Sequence, residues 1–106
     1  MIVVRKLYKM TQVYPKIESY GLTSQARRCA VSIPCNIAEG YGRRSTQDYI
    51  RFLNMSMGSL YELITLLEIA HSLNFVDNKS YKQITDLTTE VEKMLNTMIK
   101  KIQSSV

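Results

Sequence analysis

A chain of 106 residues, 45% hydrophobic and 22% charged, is long enough for one buried core and too apolar for disorder, so a single domain over residues 1–106 is expected. No run approaches the roughly 18 uninterrupted apolar residues that a membrane span needs, and the start MIVVRKLYK holds too short an apolar core for a secretory signal, so a cytoplasmic protein without a membrane partner is expected. The net charge of +5 is unevenly spread: residues 1–53 carry nine bases against three acids and all six arginines, whereas residues 54–106 carry five bases against six acids.

Only four glycines and two prolines punctuate a sequence rich in Leu, Ile, Met, Lys, Glu and Gln, which favours an all-α fold. The first helix is predicted over residues 2–14, with Val3, Leu7, Met10 and Tyr14 on one face, ended by Pro15, which lacks a donor and restrains the residue before it. Residues 16–21 then form a connector. Thr23 or Ser24 is the predicted N-cap of the second helix, whose apolar series Ala26, Ala30, Ile33 and Ile37 steps by four, three and four. Pro34 should bend this helix without ending it, because the spacing stays in phase, and Gly40 and Gly42 are read as its stop.

Ser45 followed by Asp48 reads as a capping box with Asp in place of Glu, opening a third helix over residues 46–73, about 42 Å long. Its seam is Tyr49, Phe52, Leu53, Ser56, Leu60, Leu63, Leu67 and Ala70, and a second apolar set, Ile50, Met57, Tyr61, Ile64 and Ile69, is more than one buried stripe accounts for. Gly58 at mid-helix is read as a close helix crossing. After a turn over residues 74–78, Asp77 or Asn78 caps a fourth helix with Tyr81, Ile84, Thr88, Val91, Leu95, Met98 and Ile102 inward, and the tail from Gln103 is expected to fray. Four helices with short connections predict an antiparallel up-down four-helix bundle.

No catalytic constellation emerges, and the chain reads as non-enzymatic. Cys29 and Cys35, six residues apart on one helix, lie about 9 Å apart along the axis and about 120° apart around it, too far for a disulfide. Small buried packing suits both. With one distant histidine, His71, they form no metal set, and no cofactor site is expected; Gly40 and Gly42 in EGYGRR lack the preceding strand and following Gly-Lys-Ser or Gly-Lys-Thr of a phosphate loop. Glu39 near a helix C-terminus calls for an arginine partner, Arg43 or Arg44.

Two patterns hold candidate functional residues. The basic set Arg5, Lys6, Lys9, Arg27, Arg28, Arg43, Arg44 and Arg51 can face a polyanion or simply be solvated. A polar line, Gln25, Arg28, Ser32, Asn36, Glu39 and Arg43, steps along the second helix at helical spacing. It can face water, but Ser, Asn and Gln beside two arginines better suit hydrogen bonding to a neighbouring subunit or to phosphates. Tyr8, Tyr41 and Tyr49 stand beside bases, an arrangement compatible with stacking on nucleobases and equally with a protein interface.

The run YGLTSQARRCAVSIPCNIAEGYGRRS, continuing into YIRFLNMSMGSLYELITLLEIA, closely resembles the bacterial four-helix bundle family related to proteins encoded in 23S ribosomal RNA intervening sequences, also labelled S23 ribosomal proteins. The matching elements include Tyr20-Gly21-Leu22, Arg27-Arg28, Ser32-Ile33-Pro34, Asn36 to Gly40, Gly42-Arg43 and Gly58-Ser59-Leu60. Cys35 stands where the family more often has a serine, and the first helix is shorter than usual. The resemblance implies a bundle assembled into a ring, plausibly a pentamer, which would cover the second apolar set on the third helix. It also implies a link to ribosomal RNA inserts and, through the similarly shaped accessory proteins of diversity-generating retroelements, to RNA or DNA as a partner. Two functions are therefore carried forward: an oligomer that binds nucleic acid through the arginines, and an assembly module whose arginines make intersubunit ion pairs.

Overall fold

The computed structural model describes residues 2–12 and 21–104, which form four helices: α1 (Ile2–Thr11), α2 (Leu22–Tyr41), α3 (Thr46–Ser72) and α4 (Asn78–Ser104). They pack in cyclic order, α1 on α2, α2 on α3, α3 on α4 and α4 back on α1, and α2 with α3 is the most extensively packed pair. This is the up-down bundle that the spacing predicts. No helix is long and apolar enough to cross a membrane among the described residues.

The core is built from the predicted faces: Val3, Leu7 and Met10 of α1, Ala26, Ala30 and Ile33 of α2, Leu53, Leu60, Leu63 and Leu67 of α3, and Ile84 and Leu95 of α4. Leu7, Ala30, Ile33, Leu53, Leu60, Leu63, Ile84 and Leu95 are fully buried. On α4 the predicted seam is only partly covered, because Tyr81, Val91, Met98 and Ile102 are half-buried at the rim. α1, at 10 residues, reaches about 15 Å, against about 40 Å for the 27 residues of α4, so it can cover only part of that helix.

The capping predictions hold at two ends and fail at one. Ser45 accepts a bond from the Asp48 backbone N–H at 3.0 Å, and Asp77 Oδ1 accepts from Ser80 N–H at 2.7 Å. At α2, however, the helix begins at Leu22, ahead of the predicted Thr23 or Ser24 cap, and the N-cap residue Gly21 makes no side-chain cap bond. Thr23 is buried, so packing has taken the residue that capping would have used. α1 ends at Thr11 rather than at Tyr14; Tyr14, Pro15 and the connector over residues 16–20 lie outside the described residues. α4 continues to Ser104, past the Gln103 at which fraying is expected.

α2 ends where its glycines predict, at Tyr41 with Gly42 as C-cap, but Gly40, the penultimate helical residue, is also a packing site: it is buried, and a Cβ there would fall 2.7 Å from Phe52 Cβ and 3.0 Å from Tyr49 Cδ1. It is the place where α3 presses onto α2. Gly58, read as a crossing, has nothing within 4 Å of its would-be Cβ among the described residues and is exposed. The second apolar set divides accordingly: Met57 and Ile64 join the core, while Tyr61 and Ile69 stay exposed. Cys35, expected inside, is exposed; only Cys29 is buried.

Candidate functional site

The eight predicted basic residues do not converge on one surface. Arg27 is used inside the chain: its Nε donates to Thr11 Oγ1 at 2.9 Å, its Nη2 donates to the Tyr8 carbonyl at 3.3 Å, and its guanidinium lies 4.5 Å from the Tyr8 ring centroid. It latches α1 to α2. Lys6 donates to Gln83 of α4, and Arg5 and Lys9 remain exposed on the outer side of α1. Arg28 is exposed and lies near enough to Cys29 to act on it electrostatically.

Arg43 and Arg51 do come together, where the α2–α3 turn meets the start of α3, and Arg44 adjoins Arg43 in the chain. Gly42 ends α2 with ordinary right-handed geometry, φ −78°, so the chain leaves the helix without a left-handed residue and Ser45 starts α3 three residues later. Arg43, in the turn, lies 4.7 Å and Arg51, in α3, 4.8 Å from the centroid of the single Phe52 ring. A buried aromatic thus holds two cations. Arg43 also pairs with Glu39 at 3.3 Å, as the spacing predicts, and Arg51 pairs with Asp48 at 3.6 Å. Both ion pairs are well exposed, so they orient the guanidiniums more than they neutralise them. Arg44 is exposed and has no ion pair among the described residues.

Tyrosines frame the same turn. Tyr41, the last residue of α2, meets Tyr49 edge to face, with centroids 6.2 Å apart and planes at 83°. Tyr49 is half-buried against the core and approaches Gly40, so the glycine allows the ring that positions Tyr41 as well as the ring that positions the arginines.

The predicted polar line of α2 proves to have two environments. Gln25, Arg28, Glu39 and Arg43 are exposed, but Ser32 and Asn36 are half-buried at the α3 boundary. Asn36 Nδ2 donates to the Ser32 carbonyl and hydroxyl, each at 2.9 Å, and Ser59 Oγ of α3 donates to Ser32 Oγ at 3.0 Å. Ser56 Oγ, fully buried, donates to the Ile33 carbonyl at 2.8 Å. The middle of the line therefore serves as helix-to-helix joinery, and only its ends are free to meet anything else.

One partly buried polar pair is not visible in the sequence pattern. Cys29 Sγ donates to Glu62 Oε2 at 2.8 Å. Burial, and then the bonded carboxylate, push the Cys29 thiol up to about 12, which leaves it protonated and poorly nucleophilic at neutral pH. Among the described residues no group of three or more His, Cys, Asp or Glu side chains could hold a metal ion. The Phe52 platform was missed as well, because Arg43 and Phe52 meet across a turn and no periodicity relates them; the adjacent Arg51-Phe52 pair was its only trace in the sequence.

Comparison with solved structures finds a protein of unknown function from the S23 ribosomal protein family of Bacteroides thetaiotaomicron, 26% identical, with a TM-score of 0.83 over 92% of this chain and 88% of that one. Comparison with curated proteins finds no match. The family model described as 23S rRNA-intervening sequence protein matches residues 1–97. With this match over nearly its whole length and a four-helix order to go with it, the chain belongs to the 23S rRNA-intervening sequence protein family.

Proposed function

We propose that this chain is a non-enzymatic nucleic-acid-binding bundle that grips phosphates with the arginines of the α2–α3 turn. The observation that carries the reading is the meeting of Arg43, in the α2–α3 turn, and Arg51, near the start of α3, over the one Phe52 ring, with the exposed Arg44 next to Arg43 in the chain. Planar guanidiniums held in place lose little freedom on meeting a phosphate, and the exposed carboxylates of Glu39 and Asp48 are weak competitors. Arg5, Lys9 and Arg28, exposed elsewhere, extend the positive field without sharing the site. The family's link by name to a ribosomal RNA insert is consistent with RNA as the polyanion.

The test is binding of RNA and DNA oligonucleotides by the full chain, followed by anisotropy across a salt series. The unaltered chain should bind at low salt and weaken linearly in log salt; Arg43→Ala with Arg44→Ala should lower affinity and reduce the slope by about two. Unchanged affinity and slope in that variant would sink the proposal.

A second reading, self-assembly into a ring of identical subunits, is favoured by Gly58. A glycine in mid-helix costs about 1 kcal/mol relative to alanine. Among the described residues nothing approaches its missing side chain, while Met55 and Ile69 are exposed on the same helix. On this reading a neighbouring copy comes close at Gly58, and Arg28 and Glu39 contribute ion pairs between subunits. Light scattering distinguishes the two: a monomeric mass for the unaltered chain, or a mass indifferent to Gly58→Gln, removes the assembly reading.

A further inference from the structure

We infer that the nucleic acid taken by the α2–α3 turn is unpaired, with Tyr41 as the stacking platform for a single base and Arg43 and Arg44 holding the adjoining phosphates. This inference rests on the nucleic-acid reading above and narrows its ligand class.

Tyr41 is 78% exposed, more than any other large hydrophobic side chain among the described residues. It stands at the very end of α2, where the chain turns, and its contact with Tyr49 can cover at most one of its two faces. The ring is nevertheless not loose. Tyr49 is half-buried and held close to Gly40, so the edge-to-face contact ties Tyr41 to the core of the bundle. An aromatic that is both positioned and open is what stacking requires, because little conformational freedom is then lost when a base arrives.

The surroundings select the ligand. Arg43 and Arg44 follow Tyr41 after a single glycine, so the cations and the ring occupy one tip of the molecule. A base whose face is free and whose flanking phosphates are reachable meets all three at once. In a duplex each base face is covered by its stacked neighbours, leaving only groove edges and backbone. The tip is also a turn four residues long, not a helix or ribbon that could fill a major groove. A duplex would therefore engage the arginines and leave Tyr41 unused, whereas a single strand or an open loop engages both.

The experiment compares fluorescently labelled single-stranded RNA and DNA 12-mers with blunt duplexes of the same sequence, by anisotropy at low salt with the full chain. Single strands should bind about tenfold more tightly than duplexes. Tyr41→Ala should erase about that factor for single strands, leaving duplex affinity and the salt slope unchanged. Tyr41→Trp should retain the affinity, and its emission, the only indole signal in a chain that lacks Trp, should be quenched by single strands and not by duplexes. Because the side chain is so exposed, the melting profile of both variants should match that of the parent. Equal affinity for single and double strands, or an Arg43→Ala with Arg44→Ala variant that weakens binding while Tyr41→Ala does not, overturns base stacking and leaves the phosphate reading standing. A parent chain that binds no oligonucleotide overturns both. A Tyr41→Ala variant with altered oligomeric mass and unaltered strand affinity assigns the ring to a protein contact instead.

Discussion

At the α3–α4 turn, polar groups find their partners within the turn itself. Asn74 takes the left-handed conformation, φ 62°, its N–H donates to the His71 carbonyl at 3.0 Å, and the Phe75 N–H reaches back to Ala70 at 2.9 Å, a Schellman closure in which asparagine does the work usually given to glycine. His71 stacks on Tyr81 with centroids 4.0 Å apart and shares a 2.7 Å hydrogen bond with Asn78 Oδ1, and Asp77 caps α4. At the α2–α3 turn the backbone closes through Gly42 N–H to Ala38 and Arg43 N–H to Gly40, and Ser45 caps α3, yet Tyr41, Arg43 and Arg44 are exposed. Both turns are closed by their backbones. What separates them is how open their side chains are: Tyr41, Arg43 and Arg44 are exposed at the α2–α3 turn, whereas Phe75 and Tyr81 pack against the core beside the other.

The largest expected effect lies at the support of the more open turn. Gly40→Ala must displace Phe52 and Tyr49, so denaturant unfolding should show a loss of about 1–3 kcal/mol even after the helix-propensity gain, with disorder in the Arg43–Phe52–Arg51 cluster. Gly58→Ala, in the same assay on a monomeric chain, should instead stabilise by about 1 kcal/mol, since space around it is open. If the two substitutions behave alike, close packing at Gly40 is not what distinguishes this end.

Smaller, and confined to the self-contained turn, is Asn74→Ala. Holding alanine in the left-handed region should cost about 1–2 kcal/mol, while Asn74→Gly should be close to neutral, both read from thermal melts. Neither should alter oligonucleotide affinity. Least of all is a pH effect at Asp77, where the bond from Ser80, with help from Lys79 and Lys6, holds the carboxyl below its ordinary value. The folded state then binds its proton less readily than the unfolded state, so this contribution is present above about pH 4 and is lost as pH falls through the depressed value. Asp77→Asn should flatten the acid limb of the stability profile by slightly lowering the neutral plateau, with stability at low pH little changed.

Much of the fold was legible because it depends on periodicity within single helices. The apolar steps of α2, α3 and α4, the Ser45 and Asp77 caps and the Glu39–Arg43 pair are all relations between residues three or four apart. The errors share the opposite property. Whether Gly40 is punctuation alone or also a contact depends on Phe52 and Tyr49, on a different helix; whether Thr23 caps or packs depends on what covers it; and whether Cys29 and Cys35 are equivalent depends on where α3 lies. The candidate site was half visible for the same reason. Its arginines stood out by composition, but their convergence on Phe52, the demotion of Arg27 to a latch and the use of Ser32 and Asn36 as joinery are products of packing between helices.

The Arg27 latch has a kinetic side. α2 and α3 are neighbours in sequence, share the most extensive packing and are stitched by Ser56 to Ile33 and Ser59 to Ser32, so their pairing closes a short loop at small entropic cost. α1, a helix of 10 residues, docks with Arg27 bonded to Thr11 and Tyr8. Amide exchange should therefore divide the bundle into an early-forming, slowly exchanging hairpin and a late-docking first helix whose amides open without global unfolding. Replacing Arg27 with Met should accelerate exchange in α1 while leaving α3 protected.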